Sequence, residues 1–295
     1  MVTEITSKTI LNHVKQPDPW FGLKYNMNLY RGCQHQCIYC DSRSECYRLG
    51  DLAEIRVKTN ALELLDDTLP RKRVLGTIGF GSMNDPYMPV ERDYRLVRGA
   101  LEIIYKHGFP VHILTKSDLV VRDLDLMQGI GEIFGAVSFT ITTADDGLAA
   151  KLEPGAPRPS ARFQAMRKLA GAGILTGVTM MPILPFLEDD PENIRGIVRG
   201  AKKNGASYII PAFGLSLRPG SREYYYNKLD ALFPGVKEEY IRTFGLSYQC
   251  APRNWPELND VFQEEMAAAG MDQRIPIFTP RNRSNKDPQL PLFLN

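Results

Sequence analysis

Cys33, Cys37 and Cys40 stand in the run Gly32-Cys33-Gln34-His35-Gln36-Cys37-Ile38-Tyr39-Cys40, a C-x3-C-x2-C spacing with an aromatic residue before the last thiol. Three thiolates this close can hold one metal centre, yet they leave it one ligand short of four. A [4Fe-4S] cluster held in this way keeps one iron open to a substrate or cofactor. A structural zinc site is the alternative, with His35 or Cys46 completing four ligands. Zinc knuckles more often pair two C-x2-C units across a longer loop, and this sequence has no second unit. A thioredoxin-like pair would use Cys37 and Cys40 alone and leave Cys33 idle. Five cysteines in 295 residues is an odd number without a dense pattern, which argues against a disulfide framework.

The elements that must position these thiols alternate regularly. Residues 25–29 alternate in polarity and read as a first strand running into the cysteine loop. Apolar runs at 74–80, 111–114, 136–142, 176–181 and 207–210 read as buried strands. Between them, residues 62–69, 94–107, 123–134, 161–169 and 193–203 carry helical spacing, with Gly108, Gly171 and Gly205 as stops. Six strands alternating with helices make a parallel sheet, either curled into a partial barrel or doubly wound. Beyond Gly214 the alternation ends, and 222–232, 237–244 and 258–269 read as helices that cap the mouth or close the open side.

The cysteine motif resembles the signature of the radical S-adenosylmethionine (SAM) enzymes. Lys151-Leu152-Glu153-Pro154-Gly155 with Arg162, Gly173-Ile174, and Pro182-Ile183 with Pro185 resemble the spore photoproduct lyase branch of that superfamily. Asn84-Asp85-Pro86-Tyr87 and Thr115-Lys116-Ser117 fit the same branch, and the similarity spans residues 25–215. The resemblance favours an α/β fold, a partial (β/α)6 TIM-like barrel with a helical C-terminal extension. With the chain's own composition and periodicity, this gives an N-terminal arm (1–24), the barrel (25–215), a helical cap (216–275) and a flexible tail (276–295).

The same resemblance implies a [4Fe-4S] cluster on Cys33, Cys37 and Cys40, with SAM as the second cofactor. Ligands of such barrels collect at the carboxyl ends of the strands. Ser82, after strand two, would then approach the methionyl ammonium, and Lys116, after strand three, would pair with the SAM carboxylate. Thr140 and Thr142 would offer hydroxyls to the ribose, and Met181 would pack on adenine, where Tyr39 also belongs. Arg162 would clamp a carboxylate. The plain alternatives are a turn at Ser82, a solvated Lys116, threonines chosen for strand propensity, core packing for Met181 and a surface Glu153–Arg162 pair.

The implied activity is reductive cleavage of SAM and hydrogen abstraction, on a nucleic-acid base in a DNA-repair-like lyase reaction. A small-molecule or peptide substrate is the alternative, and a non-enzymatic iron–sulfur or zinc protein the alternative of another class. Spore photoproduct lyase carries a cysteine just after strand two as hydrogen-atom donor. Here the segment reads Gly81-Ser82-Met83-Asn84-Asp85, without one. Cys46 and Cys250 are the remaining thiols for that role.

The net charge of +2 does not demand a polyanionic partner, although Arg71-Lys72-Arg73, Lys202-Lys203 and the run from Arg281 to Lys286 are local basic clusters. Without a signal-like segment or a long apolar run, and with unpaired cysteines, the reading is a cytoplasmic protein that does not enter a membrane. Its expected partners are an electron donor such as flavodoxin or ferredoxin and a nucleic-acid substrate. Gln289-Leu290-Pro291-Leu292-Phe293 resembles the peptides that bind the replication sliding clamp, which would add a third partner.

Overall fold

The computed structural model describes residues 1–16 and 20–283. The clamp-like motif at 289–293 and the basic run from position 284 lie outside these residues. Six of the seven strands of the central sheet run parallel: β1 Tyr25–Met27, β2 Ile78–Phe80, β3 Val111–Thr115, β4 Gly135–Thr140, β5 Leu175–Ile183 and β6 Tyr208–Phe213. They lie side by side in chain order, and each neighbouring pair is parallel. A doubly wound sheet reverses its strand order at a switch point. No reversal occurs here, so right-handed crossovers put every helix on the same face and the sheet curls as a partial barrel. The doubly wound alternative therefore falls.

The strand sequences explain the burial. β4 is buried at all six positions, as expected of a parallel strand covered on both faces. The outer helices are α1 Ala61–Thr68, α2 Leu96–Lys106, α3 Leu124–Gly131, α4 Pro159–Gly171 and α5 Pro191–Lys203. Their starts are written in the sequence. Asp190 caps α5 by accepting from the Glu192 amide at 2.8 Å, with Pro191 as the first helical residue. The run expected as one strand from 74 to 80 splits. Val74–Leu75 turns aside to pair antiparallel with Arg281–Asn282, and only Ile78–Phe80 joins the barrel.

Both sheet edges are covered. Leu11–His13 pairs antiparallel with β1, and Tyr208 of β6 bridges to Asp272. The segment expected as an N-terminal arm also supplies Val2–Ile5, which pairs with Ile55–Lys58, itself paired with Tyr30–Arg31 at the start of the cysteine loop. After β6 come α6 Ser221–Leu232, α7 Val236–Phe244 and α8 Trp255–Ala269. α8 packs along α5, completing the outer helix layer. α6 and α7 sit over a separate apolar cluster of Leu215, Leu217, Tyr225, Leu229, Tyr240 and Cys250, which the cysteine loop enters through Cys37, Ile38 and Tyr39. Among the described residues no helix is long and apolar enough to cross a membrane.

Candidate active site

The cysteine loop is fastened by its own backbone. The Cys33 amide donates to Leu52 O at 2.9 Å, the Ile38 amide to Leu152 O at 2.9 Å, and the Gly155 amide to His35 O at 3.0 Å. Gly155 comes so close that a Cβ there would lie 2.1 Å from the Gln34 carbonyl oxygen, so only glycine fits. This is the physical content of the Glu153-Pro154-Gly155 motif. All three thiols are free, with Cys37 buried and Cys33 and Cys40 half-buried. Burial pushes the Cys33 thiol up to about 12 and the Cys37 thiol well above its ordinary value.

The three thiols edge a cavity of about 420 Å³, a size suited to one cofactor-sized ligand. The carboxyl ends of β2 to β6 build its other walls through Gly81 to Asp85, Leu114 to Lys116, Thr140, Met181 and Ala212. Gly81 makes the sharp exit from β2 at φ +95°. A Cβ there would lie 2.1 Å from Leu114 O, so the chain bends where a side chain cannot go. Of the residues singled out from the sequence, Tyr39, Ser82, Lys116, Thr140 and Met181 all line this cavity. Ser82 is exposed and exchanges hydrogen bonds with Asn26.

Four others do not reach it. Thr142 shares a face with Thr140 by strand period, but β4 ends at Thr140. Beyond that end the Thr142 hydroxyl donates to Glu188 Oε1 at 2.6 Å. Arg162 is 1% exposed and turned inward, so it neither clamps a ligand nor forms a surface pair. Its guanidinium donates to Glu153, to Thr140 O at 2.8 Å and to Pro157 O at 2.8 Å. Cys46 is exposed beside the mouth, 3.4 Å from Arg218 Nη1. Cys250 is buried in the apolar cluster under the cap.

The site's charges are balanced by pairs. The Tyr39 hydroxyl and Arg162 both donate to Glu153, and Lys116 Nζ lies 3.8 Å from the same carboxylate. Burial alone would raise the Glu153 carboxyl, but the Arg162 and Lys116 charges hold it below its ordinary value. Asp85 was legible only as part of the Asn84-Asp85-Pro86-Tyr87 motif, yet it organises one wall. It accepts from the Thr115 hydroxyl at 2.7 Å, the Lys116 amide at 2.6 Å and the Tyr87 amide at 2.9 Å. Burial would raise its pKa. His35 and these donors outweigh burial and bring it to about 2. His35 Nδ1 stands 3.3 Å from Asp85 Oδ2, within ion-pair range but off hydrogen-bond alignment.

Two further lining residues, Asp41 and Tyr47, were not expected to act together. The Tyr47 hydroxyl donates to Asp41 Oδ2 at 2.8 Å and accepts from Arg218 at 3.2 Å, tying the segment after Cys40 to the cap. Nothing in the local spacing announces Arg218, which arrives from 171 residues further along the chain.

The family model for the radical SAM superfamily matches residues 27–196, more than half of the chain. The chain belongs to the radical SAM superfamily. It is an enzyme of that superfamily, whose cofactors are a [4Fe-4S] cluster and SAM. The zinc and non-enzymatic readings give way to this one. The donor set fits a radical SAM site, with three free thiols on one rim and no fourth cysteine among the cavity residues. An uncharacterised protein of Methanocaldococcus jannaschii is 36% identical over 191 residues, covering 64% of this chain and 70% of its own length. An uncharacterised protein of Mycobacterium tuberculosis is 29% identical over 272 residues, covering 90% and 78%. The structure of spore photoproduct lyase complexed with dinucleoside spore photoproduct shares the radical SAM fold with this chain. It aligns at a TM-score of 0.67 and 17% identity, covering 92% of this chain and 81% of that one.

Proposed function

We propose that this radical SAM enzyme carries its cluster on Cys33, Cys37 and Cys40, takes SAM into the adjoining cavity, and acts on a nucleic-acid base. The observation that carries this reading is that the three thiols and the polar residues Ser82, Lys116 and Thr140 line one cavity at the carboxyl ends of the strands. Held there, a reduced [4Fe-4S] cluster would supply one electron to the sulfonium of SAM, and the pair would provide the radical chemistry for hydrogen abstraction.

The chain's own residues do the rest. Lys116 is held in place by Glu153 and offers an ammonium to the SAM carboxylate. Ser82 faces the amino group, and Thr140 offers its hydroxyl to the ribose. Met181 and Tyr39 give the adenine an apolar seat. The apolar cluster under α6 and α7 shields the cysteine loop from water on the cap side.

The nucleic-acid substrate is supported by the mouth. Arg218 stands 5.6 Å from the Tyr47 ring and 5.0 Å from the Tyr248 ring, an arginine–aromatic surface of the kind on which bases stack. The spore photoproduct lyase fold, solved with a dinucleoside photoproduct, supports the same class. Of the two thiols considered as hydrogen-atom donors, Cys46 is exposed beside Arg218, while Cys250 is buried opposite the cavity-lining Leu215.

The test is anaerobic reconstitution followed by an assay for 5′-deoxyadenosine with DNA, RNA, peptide and small-molecule panels. Alanine at Cys33, Cys37 or Cys40 should remove bound iron and product, while Cys46→Ala should keep the iron. Stimulation by nucleic acid, with deuterium passing from a base into deoxyadenosine, is the expected result. Turnover of a small molecule or peptide alone would exclude the nucleic-acid assignment.

A further inference from the structure

The three-stranded sheet of Val2–Ile5, Ile55–Lys58 and Tyr30–Arg31 leads into the cysteine loop, and its two faces are unlike. Tyr30, Ile55 and Val57 are buried on one face. The other face carries Arg31, Arg56 and Lys58. Arg31 is registered directly opposite Arg56 in the antiparallel pair, so their side chains share a face, and Lys58 joins them by the period of two. Like charges placed opposite each other weaken a sheet. The strain reaches Lys58, whose ammonium is pushed below its ordinary value by burial and then by the Arg31 charge. Arg56 has the exposed Glu54 at 3.2 Å, and Lys58 Nζ donates to Asn28 O at 2.6 Å. Among the described residues the exposed Arg31 guanidinium has no ion-pair or hydrogen-bond partner.

The turn after the cysteine loop continues this face to the mouth. A Cβ on Gly50 would lie 3.8 Å from Arg56 Nη2, so the turn passes over that guanidinium. Two residues earlier, Arg48 is exposed at φ +51°, a left-handed backbone that favours glycine. Its guanidinium also has no partner among the described residues. Arg48 follows Tyr47, which lines the cavity and meets Arg218. Arg31, Arg48 and Arg56 themselves lie outside the cavity lining. The chain as a whole carries only +2, so this is a local concentration of charge. Opposed arginines do nothing for the sheet that holds them, whereas a row of phosphates outside the cavity would neutralise them.

We propose that the face of Arg31, Arg48 and Arg56 binds the phosphates of a polynucleotide strand whose target base enters the cavity. The substrate is then a strand and not a free nucleoside or nucleotide. The proposal rests on the nucleic-acid reading of the site.

The test compares three reconstituted proteins: wild type, the Arg31→Gln/Arg48→Gln variant, and a Lys202→Gln/Lys203→Gln control at the exposed end of α5. The probes are a labelled single-stranded DNA, an RNA of the same sequence and a labelled mononucleotide, each followed by fluorescence anisotropy across a salt series. The wild type should bind at least one strand with an affinity that falls as salt rises, and the mononucleotide far more weakly. The arginine variant should bind that strand at least about tenfold more weakly at low salt. Its slope of log affinity against log salt should shrink by roughly 0.7 for each arginine removed. The control should keep both values. The urea midpoint of the arginine variant should equal or exceed that of the wild type, because the substitution relieves repulsion. A lowered midpoint would make Arg31 or Arg48 a structural residue and overturn the assignment. Equal strand affinity in wild type and arginine variant would overturn it, as would an equal loss in the control or a mononucleotide bound as tightly as the strand. If the wild type binds neither strand and neither stimulates deoxyadenosine formation, the nucleic-acid reading beneath the proposal fails instead.

Discussion

Arg162 and Glu153 form an ion pair inside the protein, with side chains only 1% and 2% exposed, directly behind the cysteine loop. Arg162 also holds the last carbonyl of β4 through Thr140 O, and Glu153 also takes the Tyr39 hydroxyl. One buried pair therefore connects a barrel strand, the segment after it and the aromatic residue of the cysteine motif. An Arg able to make several directed bonds is needed for this, because a Lys has no fork to divide among three acceptors.

Glu153→Gln should therefore cost about 3–5 kcal/mol of stability, since it leaves the Arg162 charge buried and uncompensated. Urea denaturation of the wild type and variant measures this. A loss below about 1 kcal/mol, the range of exposed pairs, would show that water reaches the pair.

Gly155→Ala should reduce cluster loading more than stability. Its methyl group would meet the Gln34 carbonyl at 2.1 Å and push the cysteine loop outward. Iron and sulfide per chain after anaerobic reconstitution should fall well below wild type, with an unchanged far-UV spectrum. Full loading in the variant would mean that the loop yields at no cost to its thiols.

Lys116→Met should weaken SAM binding by roughly tenfold to a hundredfold, the worth of one charged hydrogen bond. Equilibrium binding of SAM to the loaded protein reads this directly. Thr142→Val is the contrast, because its hydroxyl serves Glu188 and not the cavity. An equal loss of SAM affinity in both variants would contradict the positions assigned here.

Glu188 should make the protein less stable as pH rises through the acidic and neutral range. Burial pushes its carboxyl up to about 8, against the ordinary glutamate value of 4.5. The folded chain thus holds a proton that the unfolded chain releases, and stability falls as pH rises from 4.5 towards 8. Glu188→Gln should flatten that part of the profile. Urea midpoints of both proteins at the two ends of the window test this, and parallel profiles would contradict it.

The barrel was largely legible in the sequence. Long apolar runs of parallel strands and amphipathic helices with glycine stops are local signals, set by burial on both faces or on one. Strand order was not local. Curling in one direction or winding in two leaves the same periodicity, and only the pairing of β1 to β6 in chain order separated them. The three-stranded sheet of Val2–Ile5, Tyr30–Arg31 and Ile55–Lys58 went unseen, because strands of two to four residues carry too few alternations to stand out.

The site divides in the same way. Spacing by itself determined the cysteine trio, because three thiols within eight residues share one loop in any fold. Strand ends placed Ser82, Lys116, Thr140 and Met181 at the mouth, since side-chain direction follows from a period of two. Only tertiary structure turned Thr142 towards Glu188 and Arg162 towards Glu153, set His35 beside Asp85, and brought Arg218 onto Tyr47. Each of these depends on where a strand ends or on which distant segment packs behind a loop, and no local pattern encodes either.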